Sequence, residues 1–208
     1  MKPKKNAKST PQRSNSYDRL QTPQFALAPV LPFLTRHRCI WECAAGDGHL
    51  TTALRAAGHV VCDTDILTGH DFFTADPPST RIDGIESPVT CICTNPPYSC
   101  KYPWITHCYE LKLPFALLMP LETMGAWSAQ RLFRKYGIGV LLLNRRVNFH
   151  LPTRGWERSS AQFPVAWFCH RLGFDGELRY GVLEKTDDRQ LTIFDGGGIP
   201  AEIVGGGS

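Results

Sequence analysis

The sequence predicts an α/β domain in which helices cover both faces of a mostly parallel sheet. The chain has 208 residues, enough for one well-buried core. Apolar strand-like runs alternate with helical segments, which predicts parallel strands. The last two strand-like runs, residues 138–149 and 161–174, have no helical segment between them. They are therefore expected to pair as an antiparallel hairpin at one edge of the sheet.

The alternation begins with a short helix. Spaced apolar residues after Thr22 and Pro23 predict a helix with Thr22 as its cap and Pro23 at its first position. Residues 37–44 (HRCIWECA) are typical of a buried strand, residues 46–58 of a glycine turn that opens a helix, and residues 59–66 of a second strand.

The same pattern continues through the middle of the chain. We predict strands at 88–94 (PVTCICT) and 114–121 (PFALLMPL), and helices at 101–112 and 126–137, the second closed by Gly137.

Composition separates two tails from this domain. Residues 1–17 form a basic tail expected to be disordered, and residues 191–208 a glycine-rich tail expected to be flexible, leaving 18–190 as the domain. Of the net charge of +4, the first 20 residues carry +5 and the remainder −1. A basic tail favours a polyanionic partner, and a merely solubilising role is the alternative.

The eight cysteines are interpreted as reduced side chains, mostly in the core. Several lie in strand-like runs and none forms a CxxC pair, so we predict no metal site. No apolar run approaches the roughly 18 residues of a membrane span, so we expect a soluble, unsecreted protein.

Candidate ligand-binding residues follow the predicted strands, where open parallel sheets bind their ligands. Gly46 and Gly48 allow a tight turn after the first strand, and Glu42 offers a carboxylate just before it. Asp63 and Asp65 follow the second strand, where an acid can accept hydrogen bonds from both hydroxyls of a ribose. A solvated turn or a helix cap is the alternative for these acids.

The segment TNPPYS follows the strand at 88–94. Proline fixes its own φ and restricts the preceding residue, so Asn95 and Pro96 are held extended. The Oδ1 atom of Asn95 and the carbonyl of Pro96 can then accept two hydrogen bonds from one NH₂ group. This geometry suits an amine nucleophile.

These features resemble the S-adenosylmethionine-dependent amino methyltransferases. NPPY after a strand, an E-x-A-x-G-x-G turn before it and a TP segment near the start are most similar to short phage-type DNA adenine-N6 methyltransferases. The resemblance covers about residues 18–180. It implies a Rossmann-like seven-stranded methyltransferase sheet, S-adenosyl-L-methionine as the cofactor, DNA as the partner and a cytoplasmic location in a bacterial or phage-infected cell. We expect a monomer or a weak dimer.

The resemblance also implies roles for individual residues. The cofactor site would comprise Thr22 and Pro23 at the carboxylate end, Glu42, Ala44, Gly46 and Gly48 at the methionine part, Asp65 at the ribose, and Asp71 with Phe72 at the adenine. The catalytic wall would comprise Asn95, Pro96, Pro97 and Tyr98. Asp63 is the alternative ribose ligand, and Phe73 is the alternative apolar wall. Cys43 stands where this family frequently has proline.

The implied chemistry is methylation of an adenine amine. Two acceptors out of the ring plane favour a pyramidal nitrogen and stabilise the positive charge that develops on it. Tyr98 would stack on an adenine that is flipped out or single-stranded; a core tyrosine is the alternative.

Contact with nucleic acid is assigned to the loop around residues 145–160. Its candidate contacts are Arg145, Arg146, Arg154, Trp156 and Arg158, and a solvated hairpin loop is the alternative. RNA adenine-N6 and protein glutamine-N5 methylation stay open as activities, as does non-catalytic nucleic-acid binding.

Overall fold

The computed structural model describes residues 16–150 and 163–183. Its strands are β1 (Cys39–Glu42), β2 (Val60–Asp63), β3 (Ser79–Ile82), β4 (Ile85–Pro88), β5 (Cys91–Thr94), β6 (Phe115–Pro120), β7 (Gly139–Leu143), β8 (Val165–His170) and β9 (Leu178–Gly181). Its α-helices are α1 (Leu31–Leu34), α2 (His49–Ala56), α3 (Lys101–Leu111) and α4 (Trp127–Tyr136). Short 3-10 helices occur at Ser16–Arg19, Gln24–Ala26, Ile66–Thr68, Tyr98–Cys100 and Leu121–Gly125.

Within these residues the main sheet has seven strands in the order β2-β1-β5-β6-β8-β7-β9. Strand β8 is antiparallel to both of its neighbours, and every other pairing in this sheet is parallel. The predicted fold class, a Rossmann-like and mostly parallel seven-stranded sheet, is confirmed.

The position of the antiparallel pair differs from the prediction. β7 and β8 do pair antiparallel, but β8 lies inside the sheet between β6 and β7, and β9 occupies the edge. The strand β9 and the separate hairpin of β3 and β4 were not predicted. Both are short and largely exposed, so neither shows the apolar run that identifies a buried strand.

Two apolar clusters lie on opposite faces of the sheet. α1 and α2 cover one face and α3 and α4 the other. Successive strand residues alternate between them: Cys91 and Cys93 pack with the first cluster, and Ile92 with the second. Helices on both faces are therefore confirmed, as are buried cysteines within strands.

The helix predictions agree with the structure for α2, α3 and α4, and Gly137 follows α4 with a φ of 80°. The predicted Thr22 cap is wrong. The 3-10 helix Gln24–Ala26 is preceded by Pro23, and no side chain caps it. Pro23 occupies the N-cap position and has no side-chain acceptor. Thr22 is buried and lies one residue before that position.

The predicted tails lie almost entirely outside the described residues. Of residues 1–17 the structure describes the backbone of 16 and 17 alone, in the 3-10 helix Ser16–Arg19, and it describes none of 191–208. In the described part of the chain, no helix combines the length and the apolar character needed to span a bilayer.

Candidate active site

The carboxyl ends of β1, β2 and β5 bring several predicted site residues to one edge of the sheet. Glu42 ends β1 in register with Asp63 at the end of β2. On the other side of β1, β5 ends at Thr94, directly before Asn95. Because these strands are parallel, the acids, the glycine turn after β1 and the asparagine share this edge.

The side-chain amide of Asn95 is oriented by a segment distant in sequence. Its Nδ2 atom donates to the carbonyl of Leu20 at 3.1 Å. Only the NH₂ end of an amide can donate to a carbonyl, so this bond determines which end is the oxygen. Oδ1 is buried and has no hydrogen-bond partner among the described residues. Within the described part of the chain, this arrangement leaves Oδ1 as an unsatisfied acceptor at the end of β5.

Glu42 is a buried carboxyl whose two oxygens differ in their hydrogen bonds to the described residues. Oε1 accepts from the Thr94 hydroxyl at 2.5 Å and from the backbone N–H of Ala44 at 3.1 Å. Oε2 is buried without a partner in the described structure. Burial raises the pKa of Glu42 to about 8, although the bonds from Thr94 and Ala44 oppose that shift. A cation beside Oε2 would favour the ionised form.

The turn after β1 requires glycine. Gly46 has a φ of +51° and Gly48 a φ of +79°, and side chains rarely adopt this left-handed conformation. A Cβ atom on Gly46 would also lie 2.4 Å from Nε2 of Gln21. The Oε1 atom of Gln21 accepts from the backbone N–H of Asp47 at 3.0 Å. The chain before the domain's first strand is thus packed directly against the glycine turn.

The structure distinguishes the environments of the two acids after β2. The Asp65 carboxylate accepts from the backbone N–H groups of Gly46 and Leu67, each at 2.8 Å. Asp63 instead pairs with Arg55 on α2, at 2.5 Å. Asp65 is therefore the acid in contact with the glycine turn. It also caps the 3-10 helix Ile66–Thr68, which was the alternative role for an acid here.

The segment around Thr22 connects the parts of this edge. The backbones of Gln21 and His150 pair through two hydrogen bonds, at 2.8 and 3.0 Å, and Thr22 and Pro23 are buried beside them. Thr22 and Pro23 were predicted from the sequence, whereas Gln21 and Thr94 were not. Gln21 directly precedes the TP segment and Thr94 directly precedes the NPPY segment, and this position was the signal that could have identified them. Their contacts join positions far apart in the chain.

Asp71 and the two phenylalanines after it lie on the α3 side of the sheet. Asp71 is half-buried, and its Oδ1 accepts from the backbone N–H of Phe73 at 3.0 Å. Phe72 is only 3% exposed and stacks on Trp104, with ring centroids 4.1 Å apart. Phe73 is 41% exposed. Phe72 is thus packed in the core, whereas the ring of Phe73 has an exposed face. The assignment of the apolar wall at the adenine to Phe72, with Phe73 as the alternative, stays a prediction.

Tyr98 has the environment of a core tyrosine. It is 7% exposed, and its ring packs edge-on against Phe149 and Phe163, at centroid distances of 6.4 and 5.7 Å. Its hydroxyl is buried without a partner among the described residues, and burial raises its pKa. Stacking of a base on this ring stays a prediction, and it requires the ring to leave this packing. Pro96 is buried and Pro97 half-buried.

The predicted nucleic-acid contacts are only partly described. The Arg145 guanidinium lies 5.3 Å from the ring centroid of Phe25, and Arg146 is exposed. Arg154, Trp156 and Arg158 lie outside the described residues.

Two clefts lie away from this edge. One of about 340 Å³ is lined by residues that include Arg38 and Thr90, which precede β1 and β5. The other, of about 330 Å³, is lined by residues that include Arg36 and Arg171. Both are at the amino ends of the parallel strands and contain none of the predicted site residues.

The solved structures that are similar to this chain include two proteins from bacteria. No family model and no curated protein matches the chain. A modification subunit of a putative type I restriction enzyme from Vibrio vulnificus YJ016 is similar over 82% of this chain, with 12% identity and a TM-score of 0.43. A protein from Agrobacterium tumefaciens described as a predicted O-methyltransferase is similar over 74% of this chain and 84% of its own length, with 12% identity and a TM-score of 0.35. The chain spans about half (48%) of the length of the restriction-enzyme subunit.

Proposed function

We propose that this chain transfers a methyl group from S-adenosylmethionine to the exocyclic N6 amine of adenine in DNA. The observation that carries the proposal is the side chain of Asn95. Its Nδ2 atom is held by the Leu20 carbonyl, and its Oδ1 atom is an acceptor without a partner in the described structure. It stands at the carboxyl edge, next to the turn and the acids that fit a nucleotide-like cofactor.

An unsatisfied buried acceptor favours a ligand that donates. Leaving such a group unpaired costs about 1–3 kcal/mol, which a hydrogen bond from an amine offsets. Pro96 follows Asn95 directly, and its ring restricts both residues. Its carbonyl is therefore a stiff second acceptor for the other hydrogen of the same NH₂ group. Oδ1 is covered in this structure, so the incoming amine must displace the atoms over it.

The residues at the adjoining turn fit S-adenosylmethionine. The Oε2 atom of Glu42, which has no partner among the described residues, suits the ammonium of the methionine part, because a cation there would stabilise the ionised carboxyl. Gly46 and Gly48 let the backbone approach a ligand closely. The Asp65 carboxylate, already against this turn, has lone pairs left for ribose hydroxyls. When bound, the cofactor supplies a methyl group on a sulfonium.

The role of the protein is to position and stabilise the amine. The lone pair of the adenine amine is delocalised into the ring, so the nitrogen is a poor nucleophile. Asn95 Oδ1 and the Pro96 carbonyl favour a pyramidal nitrogen and stabilise the positive charge that develops during transfer. A neutral amide is no general base, so the proton leaves the nitrogen for solvent after the new N–C bond has formed.

Nucleic acid is the proposed carrier of the amine because of the charge distribution. The first 20 residues carry a net charge of +5, and four arginines occur between residues 145 and 158. Such groups attract a phosphate backbone. Adenine within a duplex cannot reach a buried acceptor, so the proposal requires a flipped-out or single-stranded base.

The test is transfer of a tritiated methyl group to DNA, RNA and protein, followed by nucleoside and amino-acid analysis. We expect label in N6-methyladenine from DNA. Asn95→Ala should lower the rate by about 100-fold or more, the cost of removing one preorganised polar group from a transition state. The affinity of the Asn95→Ala variant for S-adenosylmethionine, measured by calorimetry, should stay within about threefold of the wild-type value. Ser87→Ala on β4, remote from this edge, is the control and should keep full activity.

Other outcomes would assign a different function. Label in RNA or in glutamine would retain the amine chemistry and change the substrate. An Asn95→Ala protein with most of its activity would exclude the two-acceptor mechanism. A wild-type chain that binds DNA but has no affinity for S-adenosylmethionine would be a non-catalytic nucleic-acid-binding protein.

A further inference from the structure

The outer face of α4 has an unusual combination of side chains. Trp127 is 72% exposed, whereas Trp41, Trp104 and Trp167 are buried in the core. The Arg131 guanidinium lies 4.8 Å from the centroid of the Trp127 ring.

Two further cations, Arg134 and Lys135, are exposed towards the end of α4. The buried residue of this helix is Ala129, and Leu132 and Phe133 pack against the core. The cations and Trp127 therefore occupy the face turned away from the sheet.

The charge of this face is not balanced locally. Residues 126–137 contain three basic residues and no acidic one, although residues 21–208 together carry −1. A helix face whose only role is solubility usually carries both acidic and basic side chains, for example as Glu–Lys pairs at i,i+4. The nearest preceding acid, Glu122, is paired with Lys101 at 3.1 Å.

One end of this face adjoins the candidate active site. β6 is parallel to β5, so its carboxyl end and the 3-10 helix Leu121–Gly125 lie at the same edge as Asn95. The Lys101–Glu122 pair joins that 3-10 helix to the start of α3, which follows the NPPY segment. Trp127 is the first residue of α4 and therefore lies at this edge.

From that edge the helix runs back along the sheet. Its last residue, Tyr136, stacks on Tyr109 near the end of α3, with centroids 4.8 Å apart. Trp127 and Arg134 are seven residues apart, about 10 Å along the axis. The cations thus form a stripe that leads away from the site over about three nucleotide steps of one strand, at about 3.4 Å each.

We infer that this stripe, Trp127, Arg131, Arg134 and Lys135, is a second contact surface for the nucleic-acid substrate. The arginines bind backbone phosphates next to the target nucleotide, and Trp127 stacks on an unpaired base at the edge. This inference deepens the proposed function and rests on it. An exposed aromatic ring interleaved with cations is the pattern of sequence-tolerant binding to unpaired nucleic acid.

The experiment measures binding of a fluorescein-labelled, adenine-containing single strand by anisotropy over a series of NaCl concentrations. The double variant Arg131→Ala with Arg134→Ala loses two phosphate contacts. We expect the negative slope of log K against log salt concentration to become shallower by about 1.4. The control, Arg36→Ala with Arg81→Ala, removes the same charge from exposed residues elsewhere and should leave the slope unchanged. Trp127→Ala should weaken binding about tenfold, and Trp127→Phe much less, because a phenyl ring still stacks.

The outcomes separate this inference from the proposed function. If the wild-type chain methylates DNA but the α4 double variant has the slope of the control, the inference fails and the function stands. If the wild-type chain binds DNA through α4 without methylating any substrate, the function fails and the surface stands. The inference would be overturned if the wild-type chain did not bind DNA. It would also be overturned if the α4 substitutions weakened binding to anionic vesicles of phosphatidylserine and phosphatidylcholine but left DNA binding unchanged.

Discussion

Replacement of Glu42 by glutamine should change how the stability of this protein depends on pH. The folded state raises the pKa of Glu42 from 4.5 to about 8 through burial. Between these two values the folded chain keeps a proton that the unfolded chain has lost. Stability therefore falls as pH rises through this window, and the loss is complete above the folded-state pKa.

The expected size follows from linkage. One proton retained in the folded state alone lowers the free energy of unfolding by about 1.4 kcal/mol per pH unit. From pH 5.5 to 7.5 the wild type should lose about 3 kcal/mol through this group. Glutamine has no proton to lose, and its amide oxygen can still accept from Thr94 and Ala44. Relative to the wild type, Glu42→Gln should therefore gain about 3 kcal/mol over this range.

Urea unfolding at a series of pH values, followed by circular dichroism, provides the measurement. The exposed Glu86 on β4 is the matched control, since Glu86→Gln makes the same chemical change outside the core. Its curve should run parallel to that of the wild type. If the Glu42→Gln curve is also parallel, the carboxyl is not a buried neutral acid, and the reasoning about its unsatisfied oxygen is refuted.

Two further substitutions test the packing of the site. In urea unfolding, Gly46→Ala should destabilise the fold by about 1–3 kcal/mol more than Gly84→Ala. Both glycines have a positive φ, but only Gly46 has Gln21 packed against it. Equal losses of stability would mean that Gln21 moves away freely. Tyr98→Phe should raise stability by up to about 1 kcal/mol, since it removes a buried hydroxyl without a partner in the described structure. A loss of more than about 1 kcal/mol would show that the hydroxyl is satisfied in solution.

Several strands of this sheet were predictable because their signals are local. The runs around Ile40, Val61, Ile92 and Leu117 are apolar on both faces, as expected of strands covered by helices on both sides. β9 has no such signal: it carries the exposed side chains of Leu178 and Tyr180, so its pairing with β7 depends on the neighbouring strand and not on its own composition.

The site was predictable to a similar extent. Prolines restrict the backbone wherever they occur, so the stiffness of the segment at Asn95 followed from its own residues. The burial of Phe72 and Tyr98 did not, because either ring of a Phe-Phe pair can face the core and a tyrosine suits a core or a surface equally. Tertiary packing against Trp104 and Phe149 decided both cases.

The amino-acid sequence alone determined the order of the buried strands and of helices α2 to α4, the glycine turn and the rigid motif after β5. These depend on residue periodicity and on the backbone preferences of glycine and proline, which act over a few residues. Only the tertiary structure decided that β8 lies between β6 and β7, that Asp65 and not Asp63 contacts the glycine turn, and that Leu20 holds the amide of Asn95. Each of these depends on hydrogen bonds between segments distant along the chain, which no local pattern specifies.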